Sequence, residues 1–89
     1  MAQLLVHHKV EDYAAWRRVY DELDGLRQSL GMTGSKVFHT SSNPNEIVIL
    51  TDWPSAEKAR AYGQSPDLKQ AMQRAGVTSQ PEILILEEL

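Results

Sequence analysis

Two segments, Ile47-Val48-Ile49-Leu50 and Ile83-Leu84-Ile85-Leu86, are aliphatic at every position. Successive side chains of a strand point to opposite faces of the sheet, so an unbroken aliphatic run demands cover above and below. The remaining sequence supplies helix for one face only. A second copy of the chain is therefore expected on the other, forming a homodimer through the sheet face. At 89 residues the chain makes one domain spanning 1–89, and a domain of this size leaves much of its surface exposed when alone.

The order of elements follows from periodicity. Gln3 to Val10 alternates as a strand, with Leu4, Val6, His8 and Val10 on one face and Gln3, Leu5, His7 and Lys9 on the other. Asp12 suits the N-cap of a long helix in which Trp16, Val19, Tyr20, Leu23, Leu26 and Leu30 recur at helical spacing, with Gly31 placed to end it. Ser35 to Ser42 reads as a second strand, Asn43-Pro44-Asn45 as a reverse turn, and Glu46 to Trp53 as a third strand. Ser55 can cap a short helix through Gln64. Ser65-Pro66 supplies a cap and a first-turn proline for another helix, whose inward stripe is Leu68, Ala71, Met72 and Ala75 and which Gly76 closes. Pro81 introduces a last strand, Glu82 to Glu87.

Strand, helix, strand, strand, helix, strand is the ferredoxin-like α+β arrangement. Right-handed crossovers place the helices on one side of a four-stranded antiparallel sheet, with the first strand central beside the third and fourth. The opposite face is the one that requires a partner.

Composition excludes several functions. The net charge of −3 comes from interspersed acidic and basic residues, with no Lys/Arg cluster of the kind that tracks phosphates. Nucleic acid and membrane are not expected partners. The absence of cysteine removes disulfides, thiolate nucleophiles and cysteine-based metal sites. Neither a signal segment nor a bilayer-spanning stretch is readable, so a cytoplasmic location is the expectation.

Trp53-Pro54-Ser55-Ala56-Glu57-Lys58-Ala59-Arg60-Ala61-Tyr62, followed by Ser65-Pro66 and a helix, resembles the antibiotic-biosynthesis monooxygenase family of dimeric α+β barrels. There a tryptophan ends the third strand and an acidic, alanine-rich helix follows. A histidine stands in that family where this chain has Tyr62, and the exchange replaces a group that titrates near neutrality with one that does not. The wider superfamily includes cofactor-free oxygenases of polyphenolic substrates, haem-degrading enzymes, and small isomerases or cyclases. The resemblance implies a small-molecule enzyme, but one fold hosts many reactions and the site has to carry the argument.

His8 is the leading candidate base, because alternation turns it with Leu4 and Val6 toward the helices, where a polar ring needs a partner. A structural histidine is the competing reading. His7 points to the other face, so the pair cannot chelate one ion from a regular strand. His39 lies on the second strand, separated from His8 by the third, and no metal site is expected. Trp16 fits a core position. Trp53 and Tyr62 flank the strand-to-helix junction and, with His8 and Trp16, could wall a cleft suited to a flat organic ligand. Arg60 could offer a guanidinium to a phenolate oxygen, or could simply be solvated.

Three functional classes remain open on these residues. The first is a cofactor-free monooxygenase or cyclase of aromatic or polyketide-like substrates, with His8 as base and Trp16, His39, Trp53, Arg60 and Tyr62 as binding residues. The second is a non-catalytic ligand-binding or stress-associated dimer. The third is a haem-binding or haem-degrading protein, in which His8 or His39 would reach iron.

Overall fold

The computed structural model describes residues 2–89. Its elements are β1 (Ala2–Lys9), α1 (Tyr13–Glu22), α2 (Asp24–Ser29), β2 (Gly34–Thr40), β3 (Asn43–Trp53), α3 (Ala56–Gly63), α4 (Pro66–Arg74) and β4 (Glu82–Glu87). The four strands form one antiparallel sheet in the order β2-β3-β1-β4. This is the ferredoxin-like α+β fold, with β1 between β3 and β4 as the connection rules require.

Local chemistry sets the helix starts. The Asp12 carboxylate accepts from the Ala15 amide at 3.1 Å to open α1, and the Ser55 hydroxyl accepts from Lys58 at 3.2 Å to open α3. Ser65 accepts from Leu68 at 3.2 Å, with Pro66 in the first turn of α4, where its missing N–H costs nothing.

One long helix running to Gly31 is not what forms. The chain leaves helical geometry at Leu23 (φ −96°, ψ 4°) and restarts as α2. Asp24-Gly25 is poor helix interior, which is the physical reason for the break. The interruption changes the phase of the apolar stripe. Leu26 and Leu30 are consequently exposed, and Arg27 turns inward instead.

The hairpin also differs from expectation. Its turn falls on Ser41-Ser42, and Asn43-Pro44-Asn45 forms the start of β3. Asn45 is held there because its carbonyl accepts from Val10 at 2.8 Å and its side-chain oxygen accepts from Tyr13 at 3.0 Å. It thereby ties β3 to the junction of β1 and α1.

Ala2, Leu4, Val6 and His8 of β1 and Ile47, Ile49, Thr51 and Trp53 of β3 are all buried under the helices. The alternate positions form the open face. Cross-strand register places Leu5 between Leu50 and Leu84, and Phe38 opposite Val48. Phe38 is 50% exposed and Leu84 47% exposed, so this apolar strip across all four strands meets solvent in the single chain.

Candidate active site

A cavity lies between the sheet and the helices. Its floor is Leu4, Val6, His8, Ile49 and Thr51; α1 contributes Trp16, Val19 and Tyr20, α2 contributes Arg27, α3 contributes Tyr62, and α4 contributes Leu68, Ala71 and Met72. Each strand residue is there because period-2 alternation sends it to the helix side. The free volume is about 40 Å3, enough for one or two water molecules.

Two charged or titratable groups stand in this apolar wall. His8 and Arg27 are each only 3% exposed. Among the described residues neither ring nitrogen of His8 has a hydrogen-bond partner, and neither does the Arg27 Nε. Buried polar atoms are nearly always paired, so three orphans around one cavity are a functional signal. Burial, reinforced by the positive character of neighbouring His7, lowers the His8 pKa to about 4. The ring is therefore neutral at pH 7, one nitrogen a donor and the other an acceptor.

An aromatic ladder holds these groups in place. Tyr13 stacks on Trp16 (centroids 6.0 Å apart), Trp16 stacks on Tyr20 (5.0 Å), and His8 meets Trp16 edge-on at 6.0 Å. The Arg27 guanidinium lies over the Tyr20 ring, its carbon 3.7 Å from the centroid. Arg27 Nη2 donates to the Tyr20 carbonyl at 2.5 Å, and Asp24 Oδ1 is 3.7 Å away. Burial raises the Tyr62 phenol above its ordinary pKa, against the pull of the Arg27 guanidinium, so Tyr62 stays a neutral donor.

His8, Trp16 and Tyr62 thus come together at the cavity. Trp53 sits behind it, fully buried, with its Nε1–H donating to the Thr51 hydroxyl at 2.8 Å and its ring stacked on Tyr62 at 5.2 Å. Arg60 lies on the solvent face of α3, outside the cavity. His39 is exposed on edge strand β2, with Nδ1 2.8 Å from the Thr40 carbonyl, also outside the cavity. Sequence reasoning missed Arg27, because the helix break that turns it inward was not read. Thr51 carried a usable signal, since it shares alternation with Ile47 and Ile49. No group of three or more His, Cys, Asp or Glu residues capable of holding a metal gathers among the described residues, and none of their helices is long and apolar enough to cross a membrane.

The family model described as antibiotic biosynthesis monooxygenase matches residues 2–74, most of the chain. The chain belongs to this family. Solved structures agree on the fold at low identity. A Bordetella bronchiseptica protein provisionally described as an antibiotic biosynthesis monooxygenase superposes with a TM-score of 0.83 at 14% identity, covering 99% of this chain and 96% of that one. SnoaB of Streptomyces nogalater, described as a cofactor-independent oxygenase, gives 0.76 at 14% identity over 98% and 91% of the two chains. A conserved protein of Methanosarcina mazei gives 0.74 at 16% identity over 99% and 92%. No curated protein matches the sequence. The match ends at Arg74, the last residue of α4, so all the cavity residues named above fall inside it.

Proposed function

We propose that the cavity is the substrate site of a cofactor-independent monooxygenase acting on an electron-rich aromatic, polyketide-like compound. The observation that carries this reading is His8, a buried neutral imidazole with both nitrogens unpartnered among the described residues, facing an apolar space.

Such a reaction needs a substrate that gives up a proton and can then pass electrons to dioxygen. His8 takes the proton. Burial disfavours charge on the ring; once the proton moves, the imidazolium stands beside a substrate anion, and their attraction offsets that desolvation. For an anthrone the balance is one CH2 group plus O2 giving one C=O group and water. Two C–H bonds break, one oxygen atom enters the product, and the other leaves with both hydrogens. The protein supplies orientation, a base and a dry environment for the developing charge.

Access requires movement, since about 40 Å3 is too small for an aromatic ring system. Leu68 and Met72 also wall an outer groove of about 680 Å3 between α4 and the β4 side of the sheet. No residue of α4 is fully buried. Displacing these two flexible side chains joins groove and cavity, and methionine adapts readily to such a role.

The open sheet face supports a homodimer as the working assembly. Leu5, Phe38, Val48, Leu50, Leu84 and Leu86 line it, and burying apolar surface contributes roughly 25 cal/mol per Å2. A haem-handling role is the weaker reading, because His8 is enclosed in a space far smaller than a macrocycle and His39 is turned to a backbone carbonyl.

The test is aerobic incubation of chelator-treated protein with anthrone, following oxygen uptake and anthraquinone together. Expected is catalysed, equimolar conversion that His8→Ala slows by about 10²–10⁴-fold. Conversion no faster than autoxidation, or an unaffected His8→Ala variant, would contradict the reading. Binding without oxygen uptake would instead assign the cavity to ligand sequestration.

A further inference from the structure

We propose that Arg27 is a substrate-binding residue which selects ligands carrying an ionised oxygen, a carboxylate or a phenolate, on an apolar aromatic body. The inference rests on the cavity being a ligand site and names what that site prefers.

Arg27 is poorly compensated for a buried cation. Its nearest carboxylate oxygen, on Asp24, is at 3.7 Å from Nη2, and Asp24 is itself partly exposed. Nη2 is committed to the Tyr20 carbonyl at the C-terminal end of α1, and the guanidinium plane is stacked on the Tyr20 ring. These two contacts fix the orientation of the group without neutralising it. The Nε–H has no partner among the described residues. Removing a charge from water is expensive unless an opposite charge and hydrogen bonds restore what was lost. The cavity wall offers no carboxylate: its other polar members are His8, Thr51, Tyr20 and Tyr62, none of which carries an acid group that could pair with the guanidinium. A ligand oxyanion would supply the missing charge and the missing acceptor together, as a charge-assisted hydrogen bond.

The same placement ranks ligands. A neutral aromatic of equal size, anthrone included, would fill the apolar space but leave the guanidinium uncompensated until loss of a proton creates an oxyanion. A cation would add repulsion. A dianion or phosphate would bring more charge than one guanidinium in an apolar wall can solvate. An aromatic monoanion is therefore the matching class. The role suggested from sequence for Arg60, a guanidinium facing a substrate oxygen, falls to Arg27 because the chain breaks at Leu23 and turns Arg27 inward.

The experiment compares 1-naphthoate with its neutral isostere 1-naphthamide by tryptophan quenching, and follows the Arg27 Nε–H resonance by NMR in the wild-type protein. Expected is binding of naphthoate about tenfold tighter than naphthamide, with naphthoate alone displacing the Arg27 Nε–H signal. Arg27→Gln should abolish the preference, while Arg27→Lys should retain part of it. 4-Nitrophenol, whose colour reports ionisation, separates the two oxygen sources: a bound phenol that ionises at lower pH than free phenol assigns the site to phenolates as well, and an unchanged ionisation restricts it to carboxylates. Equal affinity for naphthoate and naphthamide with an unmoved Nε–H signal would overturn the proposal while leaving the cavity a ligand site. Failure of every probe to bind would overturn both. Should Arg27→Gln fail to fold, the wild-type resonance and Arg27→Lys still decide the matter.

Discussion

His7 and His8 are neighbours in the chain and face opposite sides of one strand, where their surroundings shift their pKa values in opposite directions. His7 Nε2 lies 2.7 Å from Glu46 Oε2 and its Nδ1 3.5 Å from Glu82 Oε1. The hydrogen bond to Glu46 raises its pKa against a smaller effect of burial, with Glu82 assisting. His8, under the helices, is lowered to about 4 by burial. An NMR titration should resolve two C–H curves on either side of the ordinary value of 6.5.

The two shifts act on stability with opposite signs. For His8 the unfolded state binds the proton more readily, so its contribution is present above pH 6.5 and is lost as pH falls toward about 4. The contribution of His7 is present below pH 6.5 and is lost as pH rises through its raised value. Urea denaturation of His8→Ala between pH 6.5 and 4 should show a shallower loss of stability than wild type, by at most about 1.4 kcal/mol per pH unit. A parallel slope in the two proteins would mean that His8 is not held neutral.

Thr51 joins the buried tryptophan to the sheet. Its hydroxyl accepts from Trp53 Nε1 at 2.8 Å and donates to the Leu4 carbonyl at 3.4 Å. Thr51→Val keeps the shape and orphans the indole N–H, so a loss of about 1–3 kcal/mol in chemical denaturation is expected. Trp53→Phe in the Thr51→Val background should recover part of that loss, because the unsatisfied donor is then gone.

Much of the scaffold was legible in the chain, for reasons that particular residues show. Ile47 to Leu50 and Ile83 to Leu86 form strands as their aliphatic runs suggested, and Asp12, Ser55 and Ser65 each cap the helix that their position suggested. His8, Trp16 and Tyr62 reach the cavity because alternation and helical spacing are local rules. Arg27 was hidden because its facing depends on a helix break at Leu23, where the apolar spacing continues unbroken in sequence and only Asp24-Gly25 argues against it. Trp53, which local spacing places at the strand-to-helix junction, lies behind the cavity wall with Tyr62 stacked over its ring. The exposure of His39 and Arg60 depends on what surrounds an edge strand and an outer helix surface, which no periodicity encodes.

The proposed homodimer rests on the open sheet face. Leu50 is flanked by Leu5 and Lys36 in register, and Leu84 sits beyond Leu5 on the edge strand. Native mass spectrometry of wild type should report a dimer, and Leu50→Lys should shift it toward monomer with a dissociation constant raised at least about tenfold. A wild-type monomer at micromolar concentration would remove the homodimer from the proposed function.

Met72 lines both the cavity and the outer groove. Met72→Ala should raise the association rate of 1-naphthoate severalfold in stopped-flow fluorescence, at a stability cost of about 1–2 kcal/mol for a half-buried side chain. An unchanged association rate would place the route to the cavity elsewhere.

The most direct measurement is a set of intermolecular NOEs between bound 1-naphthoate and methyl-labelled protein. Contacts from the naphthalene protons to Leu4, Val6, Val19, Leu68 and Met72, with none to Leu50 or Leu84, are the expected result for a ligand held between helices and sheet. Contacts confined to the open sheet face or to the outer groove, with the methyls around His8 and Arg27 silent, would contradict it.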